Sequence, residues 1–478
     1  MNRDIRLLTS RVIADHITPV SVYAALGGDP YSFLLESVEK GKNGRYSFIG
    51  FNPRRIYELH SGSARILKKN KEGDYIQEKE VKTSDPVEYL GGVQERYTLE
   101  KPPQMPPFCG GLVGYASYET LGSWEKISFP EPSPDDPPLG IFMFVDELVA
   151  FDHLFNTAQV IKAVVEGEAE AARRRLDEIT RSLNNIPPLE GISLDITRQP
   201  DGGFISNFSR ESFMEAVESV KEKIISGEII QGVLSQRLEA PAPSKPLNCY
   251  RALRVINPSP YMFYFRFENL ILCGSSPEVL VKLQKDRVMV KPIAGTRGRS
   301  ADGEDDLRLE KELKADEKER AEHIMLVDLG RNDLARVSLP GTVKVDEFMA
   351  VERYSHVMHM VSEVSGKVAP GVSVSGVFRA CFPAGTVSGA PKLKAVEIIR
   401  DLENTRRGPY AGAAGYFSFT GGMDTCIAIR TIIIRNDRAY VQAGAGIVKD
   451  SVPELEYEET MRKAGALLEA VRIASAGG

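Results

Sequence analysis

Paired cysteines, metal-knuckle spacings and long apolar runs are all lacking in this chain of 478 residues. Its five cysteines (Cys109, Cys249, Cys273, Cys381 and Cys426) are odd in number, scattered and never in a Cys-x-x-Cys pair. That excludes a disulfide framework and a structural zinc site, and predicts reduced thiols. The six histidines are equally dispersed apart from His356 and His359. The most apolar stretches, residues 140–145 and 427–434, soon meet a charge and are too short to span a membrane. The opening MNRDIRLLTSRVIADH has no apolar centre of the secretory kind, so a cytoplasmic protein is expected. The net charge of −6 gives no general affinity for nucleic acid or an anionic membrane. There is no repeat and no low-complexity tract.

What is present is a globular composition, 42% hydrophobic and 26% charged. The length exceeds one ordinary core and predicts two domains or one large composite fold. Up to about residue 180 the chain reads as strands broken by Gly and Pro, with 145–151 and 159–165 as examples and prolines dense between Pro102 and Pro138. A charged amphipathic helix is predicted over 168–183, and a Pro- and Gly-bearing stretch over 184–206 is the best candidate linker, with a long surface loop inside one domain as an equal reading. Ser209 is placed to cap a helix carrying Phe213, Val217, Val220 and Ile224, with Gly227 at its end. Strands are predicted over 261–267, 287–290, 413–419, 426–434 and 439–443, and helices over 316–329, 392–404 and 453–475. Strands and helices come in groups without βαβ alternation, so the fold class is α+β with antiparallel sheets. The expected division is an N-terminal region, 1–190, interleaved with a larger domain, 205–478.

Several segments have residue types unusual for pure structure. Residues 292–299, Pro-Ile-Ala-Gly-Thr-Arg-Gly-Arg, combine glycines that allow close backbone approach with arginines suited to carboxylates; a turn with surface arginines is an equal reading. Residues 382–392 form a small-residue loop opening a helix, where N–H groups favour anions, but Walker spacing is absent and nucleotide binding is rejected. Residues 441–447 leave a strand into glycines, which alone more often means a bulge. Glu456, Glu459 and Lys463 share one helical face, and Glu322 lies on another predicted helix. By themselves they read as a solvated stripe; as a set they suit a hard cation, since Mg²⁺ keeps waters and needs few protein oxygens.

Taken together and in this order, the segments resemble the chorismate-utilising enzymes, the family of anthranilate, aminodeoxychorismate, isochorismate and salicylate synthases. The resemblance runs from about Phe208 to Ala470 and adds residues 231–237, 274–278, 356–366, 408–416 and 428–431. It implies two opposed, mainly antiparallel sheets with flanking helices. It implies that Glu322, Glu456 and Glu459 hold Mg²⁺. Gly295, Thr296, Tyr410, Arg430, Gly444, Ala445, Gly446 and Lys463 would bind chorismate. Glu278 would protonate the departing C4 hydroxyl, with His359 and Thr386 beside the ring.

Two positions bear on the branch of the family. Water-using relatives carry a lysine base where this chain has Gln231, and aminodeoxychorismate synthases carry a lysine where it has Ala294. Direct attack of ammonia is therefore expected: chorismate and ammonia give anthranilate and pyruvate through aminodeoxyisochorismate. Residues 34–39 and 257–263 resemble the tryptophan-binding segments of such enzymes, implying feedback control through Glu36, Ser37, Arg45, Pro260, Tyr261 and Met262. No cysteine lies in a Gly-x-Cys-x-Gly setting, so ammonia would come from a separate glutaminase subunit in an αβ or α₂β₂ assembly. The competing readings are an aminodeoxychorismate synthase and a silent tryptophan sensor.

Overall fold

A computed structural model describes residues 3–37, 44–165, 169–194, 203–300, 302–353 and 357–476, and the side chains of Val165 and Thr296 fall outside that description. Residues 38–39 of the tryptophan-segment resemblance, part of the expected linker and His356 also lie outside the described residues. Among the described residues, thirteen strands form one mainly antiparallel sheet and twelve form a second. The α+β expectation of two opposed sheets with helices is met.

Strand alternation explains the layering. In Tyr261–Arg266, Phe263 and Phe265 enter a core shared with Ile56, Leu112 and Phe417 of the second sheet. Their neighbours Met262 and Tyr264 face the opposite way, onto the helices Leu247–Ile256 and Pro453–Ala476. A strand buried on both faces reads as a continuous apolar run, as this one does. The first sheet is thus packed against the second on one side and against helices on the other. Segments from both halves of the chain contribute to each sheet: Ser32–Glu36 pairs with Tyr261–Arg266, and Gly111–Ala116 pairs with Ala413–Ser418.

The helix capped by Ser209 runs Arg210–Ile225, with the Ser209 side chain accepting from the Ser212 N–H and Gly227 at φ +79° just beyond its end. The other expected helices appear as Ala169–Leu183, Glu317–Ala335, Lys392–Leu402 and Pro453–Ala476. Asp316 caps its helix rather than lying inside it, because its carboxylate accepts from the Lys318 and Glu319 N–H groups.

Two predicted strands were each two. Residues 145–151 divide into Gly140–Val145 of the second sheet and Glu147–Asp152 of the first, with only Asp146 between. Residues 426–434 divide into Met423–Ile427 of the second sheet and Thr431–Arg435 of the first, turning at Arg430 with φ +50°. Periodicity cannot detect such a crossing, since apolar residues continue on both sides of it. All five cysteines are unpaired and buried. No helix among the described residues is long and apolar enough to cross a membrane.

Candidate active site

The site lies where the chain crosses between sheets. Ile271–Ser276 of the first sheet passes to Val279–Gln284 of the second through Pro277 and Glu278. Its neighbour crosses back through 428–430. The two crossings are hydrogen-bonded to each other: Ile427 N–H donates to the Glu278 carbonyl and Ser275 N–H to the Arg430 carbonyl, each at 3.0 Å. Glu278 and Arg430 are therefore placed by backbone geometry at one seam.

The Glu278 side chain is buried. Burial is the main reason its carboxyl is pushed up to about 8; the Thr386 hydroxyl, the Ile293 backbone and the Lys463 charge all pull the other way. Thr386 Oγ1 donates to Glu278 Oε1 at 3.1 Å from the short 3₁₀ turn Gly385–Val387. At neutral pH this carboxyl carries a proton, as a general acid must.

His359 lies on the strand Val357–Lys367, in register opposite Thr296 of Ile293–Gly298. The pairing is interrupted between Ala294 and Thr296, where Gly295 adopts φ +65°. This bulge turns the Gly295 carbonyl to 3.2 Å from His359 Nδ1, which assigns the proton to Nδ1. Burial, aided by the Arg430 charge, holds the ring below the usual imidazole range against the opposing pull of that carbonyl.

Residues 292–299, read as a turn or a ligand-facing segment, are thus mostly an edge strand, and their arginines already have carboxylates. Arg297 pairs with Asp316 and Glu319 at 2.7 and 3.2 Å, and Arg299 with Asp306 at 2.8 Å. Arg430, by contrast, makes no side-chain hydrogen bond or ion pair with any described residue. Its charge faces Tyr410 and Glu459 as well as His359.

Residues 441–447 stay in a strand, Arg438–Ile447, rather than leaving one. Gly444 is there because space is short: a Cβ would stand 2.9 Å from the Tyr410 hydroxyl and from the Leu234 carbonyl. Gly446 faces Gln231 and Glu322. Ala445 lies between them with its side chain turned into a separate core with Phe213 and Val220, so only its backbone can face the site. Lys463 Nζ donates to the Gly444 carbonyl at 3.0 Å and pairs with Glu459 at 2.7 Å.

The carboxylates proposed for Mg²⁺ occupy two helices on one side of the site. Burial raises Glu322, opposed by Gln231 and Lys463 and reinforced by Glu319 and Glu459. Gln231 Nε2 donates to Glu322 at 3.1 Å. Burial also raises Glu456, offset by Ser451 and reinforced by Glu459. Among the described residues no three acidic, His or Cys side chains converge to cage a metal. The donor set still suits Mg²⁺, which binds through one or two carboxylates plus waters and an anionic ligand. Crowded, partly desolvated carboxylates gain most from a cation.

The six residues expected to contact an effector border one cavity of about 510 Å³ between the sheets. Arg45 is anchored there by Asp152 at 2.7 Å and lies over the Tyr46 ring. The Glu36 carboxylate is turned to Tyr250 at 2.6 Å and Arg254 at 3.2 Å. The same cavity reaches Pro277, Val279 and Ile293, the neighbours of Glu278 and of the Gly295 bulge. Sequence reasoning missed Asp424, which holds Tyr261 at 2.9 Å and Lys282 at 2.7 Å on the facing wall. It also missed Arg407; nothing in Arg406-Arg407-Gly408 says which arginine is buried.

A family model described as chorismate binding enzyme matches residues 31–469, and the chain belongs to that family. Within it the chain stands with the anthranilate synthase component 1 proteins. It is 44% identical to that of Pseudomonas putida, over 98% of this chain and 95% of the relative. It is 45% identical to that of Thermus thermophilus, over 99% of each. The crystal structure of anthranilate synthase component I from Streptococcus pneumoniae superposes with a TM-score of 0.78 at 35% identity, covering 96% of this chain and 99% of that one. The menaquinone-specific isochorismate synthase of Escherichia coli shares the fold, with a TM-score of 0.73 at 19% identity, covering 98% and 95%.

Proposed function

We propose that this enzyme converts chorismate and ammonia to anthranilate and pyruvate with Mg²⁺, as the first committed step of tryptophan synthesis in the cytoplasm. A separate glutaminase subunit would deliver the ammonia, and tryptophan would inhibit. The observation that carries the reading is Glu278: a buried carboxyl, protonated near neutrality, hydrogen-bonded to Thr386 and within reach of the Lys463 charge.

Hydroxide leaves poorly, so Glu278 gives its proton to the C4 hydroxyl, which departs as water while ammonia nitrogen bonds to C2. The C–N bond forms as the C–O bond breaks, the ring double bonds shift, and the excess proton on nitrogen is released, giving aminodeoxyisochorismate. Loss of the C2 proton and of the enolpyruvyl group as pyruvate then makes the ring aromatic, with neutral His359 beside it. Arg430, Lys463, Tyr410 and the Gly444–Gly446 backbone would hold the enolpyruvyl carboxylate and orient the substrate. Glu322, Glu456 and Glu459 would hold Mg²⁺, which would supply positive charge for the ring carboxylate. Gln231 cannot deprotonate water, and Ala294 offers no amine, which favours free ammonia as the nucleophile. The cavity between the sheets, lined by residues of both the N-terminal and the C-terminal parts, would bind tryptophan, with the catalytic residues drawn from the C-terminal part.

Product identity tests the reading. The purified chain with chorismate, Mg²⁺ and ammonium should yield anthranilate and pyruvate in equal amounts, and EDTA should abolish both. Aminodeoxychorismate without pyruvate would instead identify the enolpyruvyl-retaining chemistry, and no turnover in the presence of a glutaminase subunit would sink the enzymatic reading of Glu278.

A further inference from the structure

We propose that Arg407 is a positioning residue, whose guanidinium ties the turn carrying Thr386 to the strand opposite Gly444 and thereby holds Tyr410 in its reactive arrangement; this rests on the chorismate chemistry proposed above.

Arg407 is 3% exposed, and its whole fork is engaged. Nε donates to Glu403 Oε2 at 2.8 Å, Nη2 to Glu403 Oε1 at 2.7 Å and to the Val233 carbonyl at 2.6 Å. Nη1 donates to the Val387 carbonyl at 2.6 Å, one residue beyond Thr386. The guanidinium stands 4.6 Å from the Tyr118 ring centroid and 5.6 Å from that of Tyr410. Its own peptide N–H donates to buried Glu119 at 2.7 Å.

Glu403 extends the reach. Its Oε1 also accepts from the Ser235 N–H at 2.8 Å and hydroxyl at 2.7 Å. Ser235 is in register opposite Gly444, whose carbonyl accepts from Lys463. One buried ion pair thus touches the backbone beside the acid's hydrogen-bond partner and the backbone beside the proposed carboxylate site, while touching neither Glu278 nor Arg430.

Stability alone is a poor reason for such a pair. Burying two charges is costly, and apolar residues of similar volume often serve as well or better. What an arginine adds is a planar set of donors in fixed directions to three separate segments, which lysine cannot reproduce.

The test is a double-mutant cycle of Arg407→Lys with Tyr410→Phe, read as kcat and KM for chorismate and as chorismate Kd by calorimetry. If Arg407 acts through Tyr410, Arg407→Lys lowers kcat/KM at least 30-fold in the parental background, with KM rising and kcat falling, but less than threefold beside Tyr410→Phe. Far-UV circular dichroism and urea unfolding confirm that the variant is folded. An equal factor in both backgrounds, or a change within twofold in the parent, overturns the proposal. Should Arg407→Lys not fold, Ser235→Ala replaces it without stranding a charge. About a fivefold loss that vanishes beside Tyr410→Phe supports the proposal, and equal factors refute it. Anthranilate formation by the parental chain decides the functional reading separately, and the Kd cycle is valid without it.

Discussion

Thr386 Oγ1 donates to Glu278 Oε1 at 3.1 Å, the main pull toward ionisation on a carboxyl that burial otherwise raises to about 8. The hydroxyl therefore tunes the proposed acid as well as holding it. Glu278→Gln keeps the shape but has no acidic proton, and should lower kcat by about 10²–10⁴-fold while chorismate still binds. Parental turnover in this variant would show that another group protonates the leaving hydroxyl.

Activity should follow the proton on Glu278. Its pKa is raised, so the active protonated form persists below about 8 and disappears as pH rises through that value. Because the fraction of ammonia as free NH₃ also grows with pH, kcat/KM must be expressed per free NH₃. So expressed, it should be level near neutrality and fall above about pH 8. Thr386→Val removes a lowering influence and should move this alkaline limb to higher pH; a shift to lower pH would contradict the hydrogen-bond assignment.

Metal dependence should map to Glu322 and Glu459. Replacing either by Gln removes a negative oxygen from a crowded, partly desolvated cluster, and should raise the Mg²⁺ concentration for half-maximal rate at least about tenfold. An unchanged Mg²⁺ requirement in both variants would move the cation elsewhere.

Tryptophan inhibition should be separable from catalysis. Ser37 borders the cavity between the sheets and is remote from Glu278 in the chain. Ser37→Phe should fill space at that cavity and weaken inhibition at least about tenfold, a coupling loss of ~1.4 kcal/mol, with kcat within twofold of the parent. Dose–response curves with tryptophan decide this, and undiminished inhibition would place the effector outside the cavity.

The largely desolvated pair of Lys392 and Asp333, 2.8 Å apart, ties the start of the helix Lys392–Leu402 to Glu317–Ala335. Lys392→Met leaves Asp333 buried and unpaired and should cost about 3–5 kcal/mol in urea unfolding. Adding Asp333→Leu should recover most of it; no recovery would mean that the lysine contributes chiefly through the Cys381 carbonyl it also reaches.

Much of the architecture was legible in the chain. The Ser209 cap, the apolar spacing of Phe213, Val217 and Val220, and the long helix ending the chain are local signals, and each appears at nearly the expected bounds. The site segments could be chosen because Glu278, Gly295 and Arg430 recur in a known order. What failed was local shape: 292–299 read as a turn or a ligand-facing segment and 441–447 as a strand running out into glycines, yet both are largely strand, because a bulge or a close neighbour also calls for glycine.

The sequence by itself determined which residue types were available: an acid, a neutral amide at 231, carboxylates on helices, and no thiol suited to a glutaminase. Only the tertiary structure decided what those residues became. Glu278 is an acid near pH 8 because burial at a crossing between sheets removes its water. Arg430 makes no ion pair among the described residues, whereas Arg297 and Arg299 are paired with nearby helices. Such differences arise from which segments meet across the seam, and desolvation and charge pairing depend on distances in space that spacing along the chain does not contain.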